Sequence, residues 1–77
     1  MEFELILPDK IVYEGKIESL IVPTEKGMEG FLPGHAMAVK LLKPGRITFK
    51  PENEDRVSHY ITGGYLDVRE RVLIFAD

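Results

Sequence analysis

Cysteine and tryptophan are absent from the 77 residues, and serine and histidine occur only twice each, as Ser19, Ser58, His35 and His59. Without cysteine there is no disulfide framework and no zinc-finger ligation, a composition that fits a reducing compartment without establishing one. No apolar run approaches the roughly 20 residues of a membrane-spanning helix. The chain opens Met1-Glu2-Phe3-Glu4, with acid where a secretory signal carries base, so no export is expected. Basic excess is missing too. Ten Lys and Arg against 13 Asp and Glu leave a net charge of −3, which speaks against a general nucleic-acid binder.

What is present is globular: 44% hydrophobic residues with 30% charged is not the composition of a disordered chain. The length allows one domain, which should fold to an accessible surface of about 4,800 Å². A domain this small is marginal alone and gains from docking onto a partner.

Turn signals are dense and evenly spaced: Pro8-Asp9, Glu14-Gly15, Glu25-Lys26-Gly27, Pro33-Gly34, Pro44-Gly45, Pro51 to Asp55, and Gly63-Gly64. They cut the chain into strand-length runs and leave no room for a helix of average length, so the expected class is an all-β sandwich or barrel. Alternation agrees. Phe3, Leu5 and Leu7 share one face, and Ile47 and Phe49 alternate with Arg46, Thr48 and Lys50. The period of two predicts a core of Phe3, Leu5, Ile17, Ile21, Ile47, Phe49, Ile61, Leu66, Val68 and Ile74. Val72 to Ala76 is apolar on both faces. His35 to Lys43 fits either two helical turns or a strand covered on both sides.

Constellations that carry chemistry are scarce. Ser58 adjoins His59, but strand neighbours point to opposite faces, so they cannot pair as nucleophile and base. The two histidines lie on different runs with no carboxylate at ligand spacing. Glu52, Glu54 and Asp55 lack the glycine and closing glutamate of a calcium loop. Gly27, Gly30 and Gly34 are not followed by the Gly-Lys-Ser/Thr of a phosphate loop. No catalytic residue, metal ligand, nucleotide site or cofactor is therefore expected. One excursion stands out, Thr24 to His35, rich in glycine and holding Met28, Phe31 and Leu32. It reads equally as a pinned surface loop or as a recognition edge.

Around this loop lie Gly27-x-x-Gly30-Phe31-Leu32-Pro33-Gly34-His35-Ala36, Leu42-Lys43-Pro44-Gly45, Thr62-Gly63-Gly64-Tyr65-Leu66-Asp67-Val68 and Ala76-Asp77, with Leu7 to Gly15 before them. Taken together and in this order, the motifs resemble the ε subunit of F-type ATP synthases over the whole chain. The resemblance implies an antiparallel β-sandwich of about ten short strands, with His35 to Lys43 as a strand. It implies a non-catalytic rotor subunit of the central stalk, linking the γ subunit to the c ring and coupling proton translocation to ATP synthesis. Membrane contact would run only through the c ring, on the cytoplasmic face of a bacterial inner membrane or its plastid equivalent.

Carried over by position, Leu7, His35 and Lys40 are expected to face γ, with Lys40 reaching an acid there. Met28, Glu29 and Phe31 belong to the loop expected to face the ring. Two departures are visible: the loop acid is shifted by one position in Gly27-Met28-Glu29-Gly30, and Met37 replaces a frequent proline. Residues 1–77 are expected to form a single sandwich domain without the helical hairpin that usually follows in the family. The alternative is a stand-alone sandwich module binding a ligand in the Gly-rich loop 24–35.

Overall fold

Alternating apolar and polar positions produce eight strands and no helix in the computed structural model, which describes residues 1–77. In chain order they are β1 (Glu2–Leu7), β2 (Lys10–Thr24), β3 (Gly27–Phe31), β4 (Ala38–Leu42), β5 (Gly45–Pro51), β6 (Val57–Ile61), β7 (Gly64–Val68) and β8 (Arg71–Ala76). The strands follow the order β4-β7-β8-β1-β2-β5-β6, with β3 paired to β2. All neighbours are antiparallel except β1 and β8, which run parallel.

Three expectations are corrected here. The strands number eight rather than ten, and the sheet is mixed. Glu14-Gly15 is not a turn: β2 runs through it for 15 residues. The ring of Tyr13 lies over Gly15, whose missing side chain leaves the space, since a Cβ there would sit 3.0 Å from the Tyr13 hydroxyl. The parallel pair arises because the β7–β8 hairpin returns alongside β1 instead of extending the β5–β6 layer.

β2 also joins the two layers. Its first half pairs with β1, and its second half is flanked by β3 and β5. The crossing carries a register shift between Ile17 and Ser19. One extra residue inverts the side-chain phase beyond it. Ile17 is buried, but Leu20 and Val22 then point inward while Ile21 is only half-buried. Ile21 is thus corrected out of the core; the other nine expected members are buried.

The sheet curls around that core. Phe3 of β1 and Phe49 of β5, which are not neighbours in the sheet, meet with ring centroids 5.0 Å apart, and Tyr13 lies 4.6 Å from Phe49. Burial lifts the Tyr13 phenol above its ordinary value, and the charge of Glu54 adds to the effect. The folded surface, 4849 Å², matches the size scaling. In the ambiguous segment, only Ala38–Leu42 is strand; His35 to Met37 lead into it without regular structure.

Candidate functional site

The outer face of the layer β4-β7-β8-β1-β2 carries apolar residues that no local pattern groups together. Register aligns them: Leu41 lies opposite Tyr65, Tyr65 opposite Phe75, Phe75 beside Ile6, and Ile6 opposite Ile11. Five side chains from five strands form one row, about 19 Å long at ~4.8 Å per strand. Leu41 is 79% exposed, Ile11 55% and Tyr65 43%, while Phe75 stacks on Tyr65 at 5.0 Å. A bulge between Leu5 and Ile6 lets Ile11 share this side with Glu14. Beside the row run Val39, Asp67, Leu73, Glu4 and Glu14. A contiguous exposed apolar patch rimmed by charge is the usual mark of an interaction surface.

Along one side of the row a groove of about 380 Å³ is lined by Leu7 with Ile6, Tyr65 and Phe75, the row's three central members. Leu7, expected to face γ, therefore borders the apolar row. His35 does not. It sits in the loop before β4, its Nδ1 2.7 Å from the Ala36 carbonyl and its ring 4.6 Å from that of Phe31. Lys40 points to the side of β4 opposite Val39 and Leu41, where its Nζ lies 3.5 Å from Glu29 Oε1. The acid it reaches is thus in its own chain.

The β2–β3 tip is organised around the same Glu29. Thr24, 7% exposed, donates its hydroxyl to Glu29 Oε2 at 2.6 Å and receives the Lys26 N–H at 3.2 Å. The Thr24 hydrogen bond is the chief cause that holds the Glu29 carboxyl below its usual value; desolvation opposes it, and Lys40 and Lys26 assist. Glu29 thus bridges β3 to β4, two strands that share no ladder. Pairing opposite Val22 turns Glu29 toward the inner side, whereas Met28, opposite Pro23, is 59% exposed. Phe31 pairs with Leu20 and is 1% exposed. Its side chain anchors the loop in the core and is not available at the surface.

The hollow at this tip, about 220 Å³ between Thr24, Lys26, Glu29 and Lys40, is smaller than the usual 300–1,000 Å³ of a ligand pocket. No group of three or more His, Asp or Glu side chains is placed to hold a metal ion.

Sequence reasoning missed the apolar row, because its members are separated by up to 69 positions, from Ile6 to Phe75. The one local hint was the double-sided apolar character of β8 and β4.

The chain is 37% identical over 78 aligned residues to the ATP synthase epsilon chain of Aquifex aeolicus, covering 100% of this chain and 58% of that protein. It is 36% identical to the epsilon chain of Acinetobacter baylyi, again over its whole length and 56% of the relative. The chain spans about half the length of the curated relatives it matches. Among solved structures, a chain of the Euglena gracilis mitochondrial ATP synthase OSCP/F1/c-ring assembly superimposes with a TM-score of 0.89 at 25% identity, over 96% of this chain and 48% of that one. A chain from the central stalk and c-ring of the Tetrahymena thermophila mitochondrial enzyme shares the fold, with a TM-score of 0.82 at 18% identity, over 97% of this chain and 61% of that one. Residues 1–77 match throughout the family described as the ATP synthase Delta/Epsilon chain, beta-sandwich domain, and the chain belongs to that family.

Proposed function

We propose that this chain serves as a non-catalytic central-stalk subunit of an F-type ATP synthase, bound to γ through the outer face and set against the c ring through the β2–β3 tip. The observation that carries the reading is the apolar row from Leu41 to Ile11. It crosses the full layer, and it leaves a marginal domain with a face to cover. Leu7, which packs against the core yet lines the groove beside Ile6, borders the same contact. Met28 projects from the opposite hairpin and is the side chain offered to the ring, with Glu29 bracing the tip from behind through Thr24 and Lys40.

Such a subunit couples proton translocation to ATP synthesis by transmitting torque, which needs a stiff body between two contacts. The aromatic cluster of Phe3, Tyr13 and Phe49 supplies stiffness between the layers, and the Glu29 bridge supplies it at the tip. The subunit would sit peripherally at the cytoplasmic face of the membrane, touching it only through the ring. The stand-alone binding module gains no support from the small hollow at the β2–β3 tip, and the groove of about 360 Å³ along Leu20, Gly30, Phe31 and Leu32 has Arg56 as its one charged group.

Leu41→Asp tests the docking reading. An exposed position tolerates the change in the free chain, while a carboxylate placed in an apolar contact should weaken γ binding by at least about 2 kcal/mol. Undiminished co-migration of the variant with γ would remove the outer face from the contact.

A further inference from the structure

The same outer face is short of one cation. Asp67 takes Arg69 Nε at 3.0 Å, and Glu4 takes Arg71 Nη2 at 3.1 Å. Glu2 lies opposite Lys16 in the β1–β2 ladder. Glu14 alone lies opposite another acid, Glu4, and like charges directly opposed across an antiparallel pair destabilise it. Glu14 itself feels this. A hydrogen bond with Glu4 and then the charge of Glu4 raise the Glu14 carboxyl above its ordinary 4.5, desolvation and Glu2 add to it, and Arg71 opposes. Glu14 also stands next to Ile11 on the bulged stretch of β2, at the end of the row adjoining the apolar one.

We propose that the γ surface docked here presents an apolar ridge to the Leu41–Ile11 row and, beside it, one arginine or lysine whose cation sits between Glu14 and Glu4. The inference rests on the docking reading above and adds the chemistry of the partner. A second copy of this chain does not meet the requirement. Its own face carries the same acids, Arg69 and Arg71 there are already paired, Lys16 lies opposite Glu2, and two chains of net charge −3 repel. A cation from γ instead relieves a repulsion that the free chain carries, so part of the specificity comes from removing a defect.

The charge reversal Glu14→Lys separates binding from folding. In the free chain the new lysine faces Glu4 and replaces repulsion by attraction, so the melting temperature rises. In the complex it meets the cation of γ, so affinity falls by roughly tenfold or more. Glu14→Gln removes the attraction without adding repulsion and weakens binding roughly two- to fivefold, the scale of an exposed ion pair. Glu52→Lys, on the β5–β6 turn, makes the same change in net charge and should leave binding within a factor of two at physiological salt.

Binding also gains a pH signature. Pairing with a cation favours ionised Glu14, so affinity is full above its raised value and falls as pH is lowered through it; Glu14→Gln should lack that part of the slope. The groups facing Glu14 are Glu4 and Glu2 on β1, Lys16 on β2 and Arg71 on β8, and they are unchanged in the variant.

The experiment is titration calorimetry of this chain and four variants, these three and Leu41→Asp, against γ, with melting curves of each free chain. A more stable Glu14→Lys chain that binds γ at least tenfold more weakly supports the inference. Equal effects of Glu14→Lys and Glu52→Lys overturn it, as does self-association of the free chain that Glu14→Lys strengthens. If Leu41→Asp weakens γ binding and Glu14→Lys does not, the docking reading stands and the cation is wrong. If neither does, both fail.

Discussion

Replacing Phe49 by alanine should nearly unfold the domain. Phe49 is 1% exposed, and its ring lies 5.0 Å from that of Phe3 and 4.6 Å from that of Tyr13. It therefore ties β5 to β1 and to the first half of β2 in the other layer. Burial of an aromatic ring that cannot be replaced by collapse costs about 3–5 kcal/mol on truncation to alanine. The whole stability of 77 residues is of the order of 4–12 kcal/mol. With an unfolding entropy of roughly 0.16 kcal/mol/K for this length, the melting temperature should drop by about 20–30 °C. Phe49→Leu keeps most of the volume and should cost less than about 1.5–2 kcal/mol. Thermal unfolding followed by circular dichroism reads both. A loss below about 1 kcal/mol for Phe49→Ala would refute the view that this cluster holds the layers together.

Three further outcomes follow from particular contacts. Gly64 adopts φ +140° at the start of β7, and a Cβ there would meet the Phe75 carbonyl and lie 2.8 Å from the Ala76 Cα; Gly64→Ala should cost at least about 2 kcal/mol, measured by urea unfolding. Thr24→Val removes the donor that lowers Glu29, so the carboxyl should titrate closer to its ordinary 4.5 by NMR. A depressed carboxylate stabilises the fold above its unfolded value and loses that contribution as pH falls through its folded value, so the variant should also show a shallower loss of stability below about pH 4.5. Met28→Cys should crosslink to a cysteine in the c-ring loop, and Glu29→Cys, turned toward Thr24, should not; a cysteine at Asn53 that crosslinks while neither does would place the opposite end on the ring.

The legible part of the fold was its local part. Phe3 and Leu5, or Ile47 and Phe49, declare their inward face within a few residues, because alternation is a property of one strand. Ile21 lies outside the core because a bulge between Ile17 and Ser19 adds one residue that composition does not mark. Glu14-Gly15 looked like a turn because the residue that fills the glycine's space, Tyr13, does so only through its ring. Carry-over by position sends Glu29 and Lys40 to two different contacts, although they meet at 3.5 Å; nothing between positions 29 and 40 records that β3 and β4 come together. Loop 24–35 announced itself as distinctive, yet Phe31 is inward because its partner across the ladder is Leu20. The outer row needed four registers at once, so no window of sequence contains it.

The central claim is that γ covers the row from Leu41 to Ile11. Cross-saturation NMR from protonated γ to a deuterated, methyl-protonated copy of this chain reads that surface directly. The account predicts saturation transfer to Leu41, Val39, Ile6 and Ile11, with little at Val57 on β6 or at Leu32. Transfer concentrated on Val57, with Leu41 and Ile11 unaffected, would contradict it.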